Sequence, residues 1–200
     1  MVQPEPAHRR VPLSPDAYDW RWDDLAAGGA EVHGEAALVD ALVASPGARI
    51  LDAGCGTGRV ALELTRRQYV TVGIDVDPAL LDRARSKAPN LEWGEADLAR
   101  LEPDVAPGPF AAVVLAGNVM IFVARGTEAS VLDNLAGRLA PDGVLVSGFQ
   151  LSGRLSVDQY DAHAAAAGLR IVDRWSTWDR APFTDTSDYV VSVHTPVSKR

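Results

Sequence analysis

The sequence predicts an α/β fold with a doubly wound, mostly parallel sheet. From Ser14 onward, short apolar runs typical of strands alternate with segments of helical character. The strand-like runs are almost continuously apolar, as expected for strands buried on both faces of a sheet. The chain has 200 residues, of which 47% are hydrophobic and 23% charged, and this composition suits one globular domain.

The strands are predicted first, from their runs of β-branched and other apolar residues. Four continuous runs cover residues 48–52, 70–75, 110–115 and 144–149, and a shorter one covers Leu91 to Trp93. Two further runs, Leu169 to Trp175 and Tyr189 to His194, are joined by a polar loop without a helix. That arrangement predicts a C-terminal antiparallel hairpin that closes the sheet.

The helices between these strands are predicted from their end signals. Pro78 suits the first turn of a helix over 78–87, and another follows Gly58 as far as Arg67. Thr127 is expected to cap a helix to about Leu139 that ends at Pro141-Asp142-Gly143. A capping box formed by Ser156 and Gln159 starts a helix that Gly168 stops. Right-handed crossovers through such helices give a Rossmann-like sheet with helices on both faces.

The domain organisation follows from composition along the chain. Residues 1–15 carry four prolines and are expected to be a flexible tail, and residues 16–200 are expected to form one domain. Within it we expect a helical cap over 16–45, a ligand-binding core over 46–150, and a C-terminal helix and hairpin over 151–200.

The compartment and the general class of partner follow from charge, cysteine and hydropathy. No apolar run is long enough for a signal peptide or membrane anchor, and Cys55 is the single cysteine, so a cytoplasmic protein is expected. The net charge is −8, and the sequence has no basic cluster longer than a pair. This argues against binding to nucleic acid. The oligomeric state is not indicated.

The most informative segment follows the first predicted strand. Glycines at 54, 56 and 58 let the backbone approach a ligand at the start of the next helix. Their G-x-G-x-G spacing departs from the dinucleotide pattern, which requires a glycine at the position of Arg59. Asp75, 21 residues after Gly54, ends the second strand, where a carboxylate can accept hydrogen bonds from both hydroxyls of a ribose.

These motifs together resemble the class I S-adenosylmethionine-dependent methyltransferases. LDAGCGTG at 51–58 resembles the first motif of that family and GIDVDPALLDRAR at 73–85 the second. EADL at 95–98 is similar to the third, and PDGVLV at 141–146 to the approach to the fifth strand. The resemblance implies S-adenosyl-L-methionine as cofactor and S-adenosyl-L-homocysteine as product.

The resemblance also implies roles for individual residues. The first motif would surround the methionine part, Asp75 would hold the ribose, and Val76 would lie against the adenine. Asp97 and the backbone of Leu98 would bind the adenine edge, and Ala116 and Gly117 would lie beside the sulfonium. The predicted cofactor-binding residues are therefore Asp52, Ala53, Gly54, Cys55, Gly56, Gly58, Asp75, Val76, Asp97, Leu98, Ala116 and Gly117.

The acceptor is expected to be a small molecule methylated on oxygen or nitrogen. The sequence lacks the Asn/Asp-Pro-Pro-Tyr/Phe motif that family members use on bases, and it lacks the paired glutamates of arginine methyltransferases. Candidates for orienting or deprotonating the acceptor are Asn118, His33 and Tyr160. Each also has a structural explanation: Asn118 could bond to its own loop backbone, His33 could be a partly exposed surface residue, and Tyr160 could pack in an amphipathic helix. No His and Cys cluster has metal-ligand spacing, so no metal site is predicted.

Several alternatives stay open at this stage. Tryptophans 20, 22, 175 and 178 either line an acceptor pocket or pack helices onto the sheet. The acidic residues 16, 19, 23 and 24 form either a solvated helix face or a cap that attracts a cationic acceptor. A non-catalytic binder of S-adenosylmethionine and an NAD(P)-dependent oxidoreductase are the competing functions. The glycine spacing opposes the oxidoreductase, as does the lack of a lysine four residues after any tyrosine.

Overall fold

A computed structural model describes residues 14–29, 32–151 and 153–197 of the chain. These residues form a seven-stranded sheet with helices on both faces, so the predicted fold class is confirmed. The strands are β1 (Arg49–Ala53), β2 (Val70–Asp75), β3 (Glu92–Glu95), β4 (Phe110–Leu115), β5 (Leu139–Gln150), β6 (Leu169–Trp175) and β7 (Tyr189–Pro196). The helices are α1 (Pro15–Ala27), α2 (Gly34–Val43), α3 (Arg59–Arg66), α4 (Pro78–Lys87), α5 (Val119–Phe122), α6 (Glu128–Ala136) and α7 (Val157–Ala166).

The strand order is β3-β2-β1-β4-β5-β7-β6, and the first five strands in this order run parallel. Chain order reverses between β1 and β4, because β1 leads to β2 on one side while β4 occupies the other. In such a sheet a crevice opens beyond the carboxyl ends of the strands at this reversal. The loops after β1 and β4 therefore define the place where a ligand is expected.

The antiparallel end of the sheet has an order that the sequence did not predict. β7 lies between β5 and β6 and pairs antiparallel with both, with Ser192 opposite Ser147 on β5. The predicted hairpin is therefore present, but its second strand rather than its first joins the parallel part. β7 is the more deeply buried of the two strands, whereas residues 170–173 of the edge strand β6 are exposed.

Alternating side chains of the central strands form a core on each face of the sheet. On one face Leu51, Val113 and Leu145 pack with residues of α6 and α7. On the other face Ile50 and Val114 pack beneath α2 and α3. Burial on both faces explains why these strands read as continuous apolar runs. Within the described residues, no helix combines the length and apolar character that a membrane span requires.

Some predicted element boundaries were wrong. α6 ends at Ala136, and Leu139 already pairs with Phe110, so Pro141-Asp142-Gly143 lies inside an irregular β5 instead of ending a helix. Thr127 precedes α6 without capping it, because its hydroxyl donates to the carbonyl of Ala124. The capping box of Ser156 and Gln159 is confirmed. The predicted tail falls mostly on residues 1–13, outside the described part, and Pro15 already belongs to α1.

Candidate functional site

The glycine loop after β1 folds back onto the end of β2. The backbone N–H groups of Gly54 and Cys55 both donate to the carbonyl of Ile74, at 2.7 and 2.9 Å. Gly54 has φ +83° and Gly56 has φ +56°, a region that glycine adopts without steric cost. A β-carbon at Gly54 would lie 2.5 Å from a methyl group of Val119. The side chain of Val119 on α5 therefore occupies the space that any side chain at position 54 would need.

Asp75 is held by the two segments that meet at the end of β2. Its Oδ2 accepts from the N–H of Gly56 at 2.7 Å, and its Oδ1 accepts from the N–H of Asp77 at 2.9 Å. Burial raises the pKa of this carboxyl above its ordinary value. Each carboxylate oxygen keeps a further lone pair, so Asp75 can accept from a ligand while it retains both backbone bonds.

Asp75 lines a cavity of about 300 Å³ at the reversal of strand order. Most of its wall is apolar, and two of the apolar side chains, Val76 and Phe122, are 65% and 43% exposed. Large exposed apolar side chains beside a concave surface are typical of ligand sites. The wall consists of Gly54, Gly56, Asp75, Val76, Leu80, Ala96, Asp97, Leu98, Ala116, Gly117, Val119, Phe122, Val123 and Ala124.

Asp97 and Leu98 lie on the cavity wall at the start of a 3₁₀ turn over Leu98–Arg100. The Oδ1 of Asp97 accepts from the N–H of Ala99 at 2.9 Å and caps this turn. The carbonyl of Leu98 accepts from the side-chain amide of Asn134 on α6 at 3.0 Å. These bonds fix the segment that follows β3 at the edge of the cavity.

The loop after β4 brings Ala116 and Gly117 to the cavity and places Asn118 directly behind them. Asn118 adopts φ +73°, which asparagine tolerates better than most residues. Its Oδ1 accepts from the N–H of Gln150 at 2.7 Å, and its own N–H donates to the carbonyl of Gly148 at 3.2 Å. Asn118 therefore joins the ends of β4 and β5 and is held in one orientation.

Four of the six cofactor-binding residues predicted in the first motif do not line the cavity. Asp52 is 1% exposed, and its Oδ2 accepts from the N–H of Ala61 at 3.0 Å, so its carboxyl anchors the first turn of α3. Ala53 is wholly buried as the last residue of β1. Burial raises the pKa of Asp52 to about 7.

Cys55 and Gly58 are the other two predicted residues of the glycine loop that do not line the cavity. The sulfur of Cys55 lies against Gly73, and burial raises the pKa of its thiol. At Gly58, which has φ +82°, a β-carbon would lie 2.6 Å from the ring of Trp93. Both residues therefore pack closely against β2 and β3.

The structure places His33 and Tyr160 away from the cavity wall and so gives no support to the roles predicted for them. His33 precedes α2, with its Nε2 4.0 Å from a carboxylate oxygen of Glu63 on α3. Tyr160 is wholly buried on α7, and its ring contacts the rings of Phe149 and His194. Burial also raises the pKa of its hydroxyl. Tyr160 therefore forms part of the hydrophobic core.

Sequence reasoning missed the contacts of α1 with the glycine loop. Asp19 accepts from the hydroxyl of Thr57 at 2.5 Å and from Arg83 and Lys87 of α4, each at 2.9 Å. The ring of Trp22 lies 3.8 Å from the guanidinium carbon of Arg59. No spacing in the sequence links a helix to a loop that lies 38 residues later. Asp19 is thus held by protein partners, whereas the side chain of Asp16 is 85% exposed and lies 3.6 Å from Arg83.

The tryptophans outside the cofactor core do not line the cavity. Trp178 contacts Gly34 of α2 and Gly148 of β5, and its Nε1 donates to the hydroxyl of Tyr189 at 3.3 Å. Trp20 is 68% exposed. Among the described residues, no group of three or more His, Cys, Asp or Glu side chains could hold a metal ion.

Comparison with known proteins identifies the family. A family model described as a methyltransferase domain matches residues 50–143. Trans-aconitate 2-methyltransferase from Methylobacterium nodulans is 34% identical over 100 residues, which cover 49% of this chain and 36% of that enzyme. The chain thus matches about a third of the length of this relative.

Solved structures extend the similarity to nearly the whole chain. A TehB-like S-adenosylmethionine-dependent methyltransferase from Corynebacterium glutamicum is 36% identical, with a TM-score of 0.85 over 93% of this chain and 100% of that one. CalS10, an amino pentose methyltransferase from Micromonospora echinaspora, shares the fold at 20% identity and a TM-score of 0.70, over 95% of this chain and 100% of its own. The chain therefore belongs to the class I S-adenosylmethionine-dependent methyltransferases.

Proposed function

We propose that this chain transfers the methyl group of S-adenosylmethionine to an oxygen or nitrogen nucleophile of a small molecule. The observation that carries the proposal is the cavity at the reversal of strand order, with the carboxylate of Asp75 on a mostly apolar wall. Its volume of about 300 Å³ lies at the lower end of the range for small-ligand pockets. When bound, S-adenosylmethionine supplies a methyl group on a positively charged sulfur, activated for direct displacement by an acceptor lone pair.

The cavity wall suits the parts of this cofactor in a consistent order. Asp75 would accept from the ribose hydroxyls, and the exposed side chain of Val76 would cover one face of the adenine. Asp97 and the backbone of Leu98 would bind the adenine edge. Gly54 and Gly56 would let the backbone approach the methionine part, and Ala116 and Gly117 would leave room beside the sulfur. Phe122, which the sequence did not suggest, supplies a second apolar wall.

Asn118 is the candidate that we retain for positioning the acceptor. It lies in the chain between the cavity-wall residues Gly117 and Val119, although it is not itself a wall residue. Its bonds to residues 148 and 150 fix its orientation. Methyl transfer depends mainly on alignment of the acceptor with the carbon and sulfur, and a rigid polar side chain next to the reaction site helps to provide it. We no longer assign this role to His33 or Tyr160.

The polar groups of the cavity wall narrow the acceptor further. Among the described residues that line it, Asp75 and Asp97 are the titratable ones, and both are assigned to the adenosine part. A general base is needed only for an acceptor that arrives protonated. This supports an acceptor that already offers a lone pair at neutral pH, such as a carboxylate or an unprotonated amine. The net charge of −8 supports a small molecule rather than nucleic acid.

A cofactor-binding protein without transferase activity is the second candidate. The same cavity wall supports it, because a site with no base of its own can bind the cofactor without catalysing transfer. Both candidates require S-adenosylmethionine to bind. They differ only in whether labelled methyl groups appear on an acceptor.

Calorimetric titration with S-adenosylmethionine, S-adenosylhomocysteine and NADH tests the shared requirement. We expect the first two to bind and NADH to bind far more weakly; tighter binding of NADH would overturn the proposal. Incubation with methyl-labelled S-adenosylmethionine and fractionated metabolite pools then separates the candidates. A labelled small molecule supports the transferase, and cofactor binding without any labelled product favours the binder.

A further inference from the structure

Part of the cavity wall is formed by three consecutive residues, 122–124, at the end of α5. α5 consists of four residues, and a helix this short does not hold its own position in water. The place of this part of the wall therefore depends on contacts between its backbone and neighbouring elements. At the start of α5, Asn118 supplies such contacts through its bonds to β5.

Arg154, in the loop between β5 and α7, supplies a contact at the other end of α5. Its Nη2 donates to the carbonyl of Val123 at 2.6 Å, and Val123 lines the cavity. α5 ends at Phe122, and the carbonyls at a helix end require partners from outside the helix. Arg154 meets this requirement at the middle residue of the wall segment 122–124.

The guanidinium of Arg154 is itself held by Glu128, the first residue of α6. Its Nη1 lies 3.2 Å from the Oε1 of Glu128, and the two side chains are only 14% and 9% exposed. Solvent and salt screen such a pair less than a surface pair, and the planar guanidinium can serve two acceptors at once. The following residues fix the backbone, because Leu155 is buried in the core and Ser156 caps α7.

Other arginines of the chain make similar bonds away from the cavity. Arg138 donates to the carbonyls of residues 101, 102, 105 and 134, and none of these four residues lines the cavity. Arg174 on β6 pairs with Asp161 on α7, and these two residues do not line it either. The bond of Arg154 differs from these because its acceptor belongs to the wall.

We propose that Arg154 is a positioning residue for the cofactor site, which holds the wall segment 122–124 in place through the carbonyl of Val123. This inference rests on the proposed function, because it takes the cavity as the cofactor site. With this bond the wall is formed before the cofactor arrives, and a preformed wall lowers the entropic cost of binding. Without it the segment must be ordered each time the cofactor binds, so affinity falls although the wall residues are unchanged.

The test measures affinity for S-adenosylhomocysteine in variants of the full chain, by calorimetric titration well below each thermal midpoint. Removal of Arg154 alone would leave Glu128 as an unpaired, largely buried charge, which is destabilising in itself. Arg154→Met is therefore made in a Glu128→Gln background, and Glu128→Gln alone is its reference, since glutamine still offers an oxygen to Arg154. The control is Arg174→Met/Asp161→Asn, which removes a partly buried ion pair away from the cavity wall.

We expect Arg154→Met/Glu128→Gln to bind S-adenosylhomocysteine about tenfold more weakly than Glu128→Gln, and Arg174→Met/Asp161→Asn to bind it as the wild type does. We also expect backbone amides of residues 119–123 to exchange hydrogen faster in Arg154→Met/Glu128→Gln without ligand, measured by mass spectrometry. Exchange in residues 129–136 of α6 should match that of Glu128→Gln. If the methionine variant does not fold, Arg154→Gln in the same background takes its place, because its shorter side chain also loses the bond.

Two results would overturn the inference. One is equal affinity of Arg154→Met/Glu128→Gln and Glu128→Gln. The other is an equal loss of affinity in Arg174→Met/Asp161→Asn, which would mean that loss of a partly buried ion pair weakens binding wherever that pair lies. Failure of the wild type to bind S-adenosylhomocysteine at all would instead overturn the proposed function, and this inference with it.

Discussion

The backbone N–H of Gly56 donates to the Oδ2 of Asp75 over 2.7 Å, and this bond joins the two segments predicted to bind the cofactor. The other carboxylate oxygen of Asp75 accepts from Asp77, so the side chain is oriented before any ligand arrives. The glycine loop and the end of β2 therefore behave as one preorganised unit. Preorganisation lowers the entropic cost of ordering a site when a ligand binds.

The first prediction concerns Asp75→Asn. An asparagine has one acceptor oxygen, so it must turn its NH₂ group toward Gly56, Asp77 or the ribose, and each choice loses an acceptor. We expect affinity for S-adenosylmethionine to fall at least about tenfold, equivalent to about 1.4 kcal/mol, in a calorimetric titration. Asp77→Ala is the matched control: it removes the cap of α4 at a cost of about 1 kcal/mol in stability and leaves the cavity wall unchanged. Equal affinity of Asp75→Asn and wild type would remove Asp75 from the ribose.

The second prediction concerns the contact between Gly54 and Val119. In Gly54→Ala the new β-carbon would lie 2.5 Å from one methyl group of Val119 and 2.9 Å from the other, at φ +83°. We expect the free energy of unfolding in urea to fall by about 2 to 4 kcal/mol through overpacking and left-handed strain. Adding Val119→Ala to Gly54→Ala should recover the part of the lost free energy of unfolding that comes from overpacking, but not the part that comes from left-handed backbone strain. A double variant no more stable than Gly54→Ala would show that Val119 is not the obstacle.

Sequence patterns predicted the parallel part of the sheet because the burial of each strand there is visible in its own residues. Burial on both faces produces continuous apolar runs, and the observed bounds of β2 and β4 are those that were predicted. The loop glycines and Asp75 were also identifiable, since positive φ angles and a strand-end carboxylate leave a mark in the sequence. Pairing of β7 with β5 depends on long-range contacts that no local pattern encodes.

The site was less predictable where a residue type suits two environments. Asp52 is part of the family motif, yet its carboxyl faces the backbone of α3, and a motif does not say which way a side chain points. Tyr160 sits on a helix face that could equally have met solvent or the core. The short helix α5 supplies Val119 and Phe122 to the cavity, but four residues are too few for helical periodicity to be visible.

The third prediction separates a structural from a ligand-binding role for Asp52. Burial raises its pKa to about 7, although Ala61 and Arg59 partly offset the effect. Between about pH 4 and 7 the folded state holds a proton that the unfolded state has lost, so this group's contribution to stability falls as pH rises. Asp52→Asn removes this pH-dependent contribution to stability and keeps a side-chain oxygen that can accept from the N–H of Ala61. We therefore expect its stability relative to wild type to increase by about 2 kcal/mol from pH 5 to pH 8 in urea titrations. A fall in cofactor affinity as large as that of Asp75→Asn would contradict the structural role.

The fourth prediction concerns His194, which is 1% exposed on β7 beside the ring of Tyr160 and 3.7 Å from an oxygen of Asp161. Burial lowers its pKa to about 4, with a further lowering by Arg174 and an opposing effect of Asp161. The unfolded state therefore binds a proton at a higher pH than the folded state does. The neutral imidazole makes its full contribution to the free energy of unfolding above about pH 6.5, and this contribution is lost as the pH falls toward 4.

We expect the wild type to lose about 2.5 kcal/mol more than His194→Gln between pH 7 and pH 4.5, from urea midpoints measured at half-unit steps. Asp52 titrates over the same range with the opposite sign, and it cancels because both proteins carry it. His163→Gln on the partly exposed side of α7 is the control and should follow the wild-type profile. Parallel profiles for wild type and His194→Gln would mean that the buried imidazole does not cause the acid sensitivity, since nothing else distinguishes the two chains.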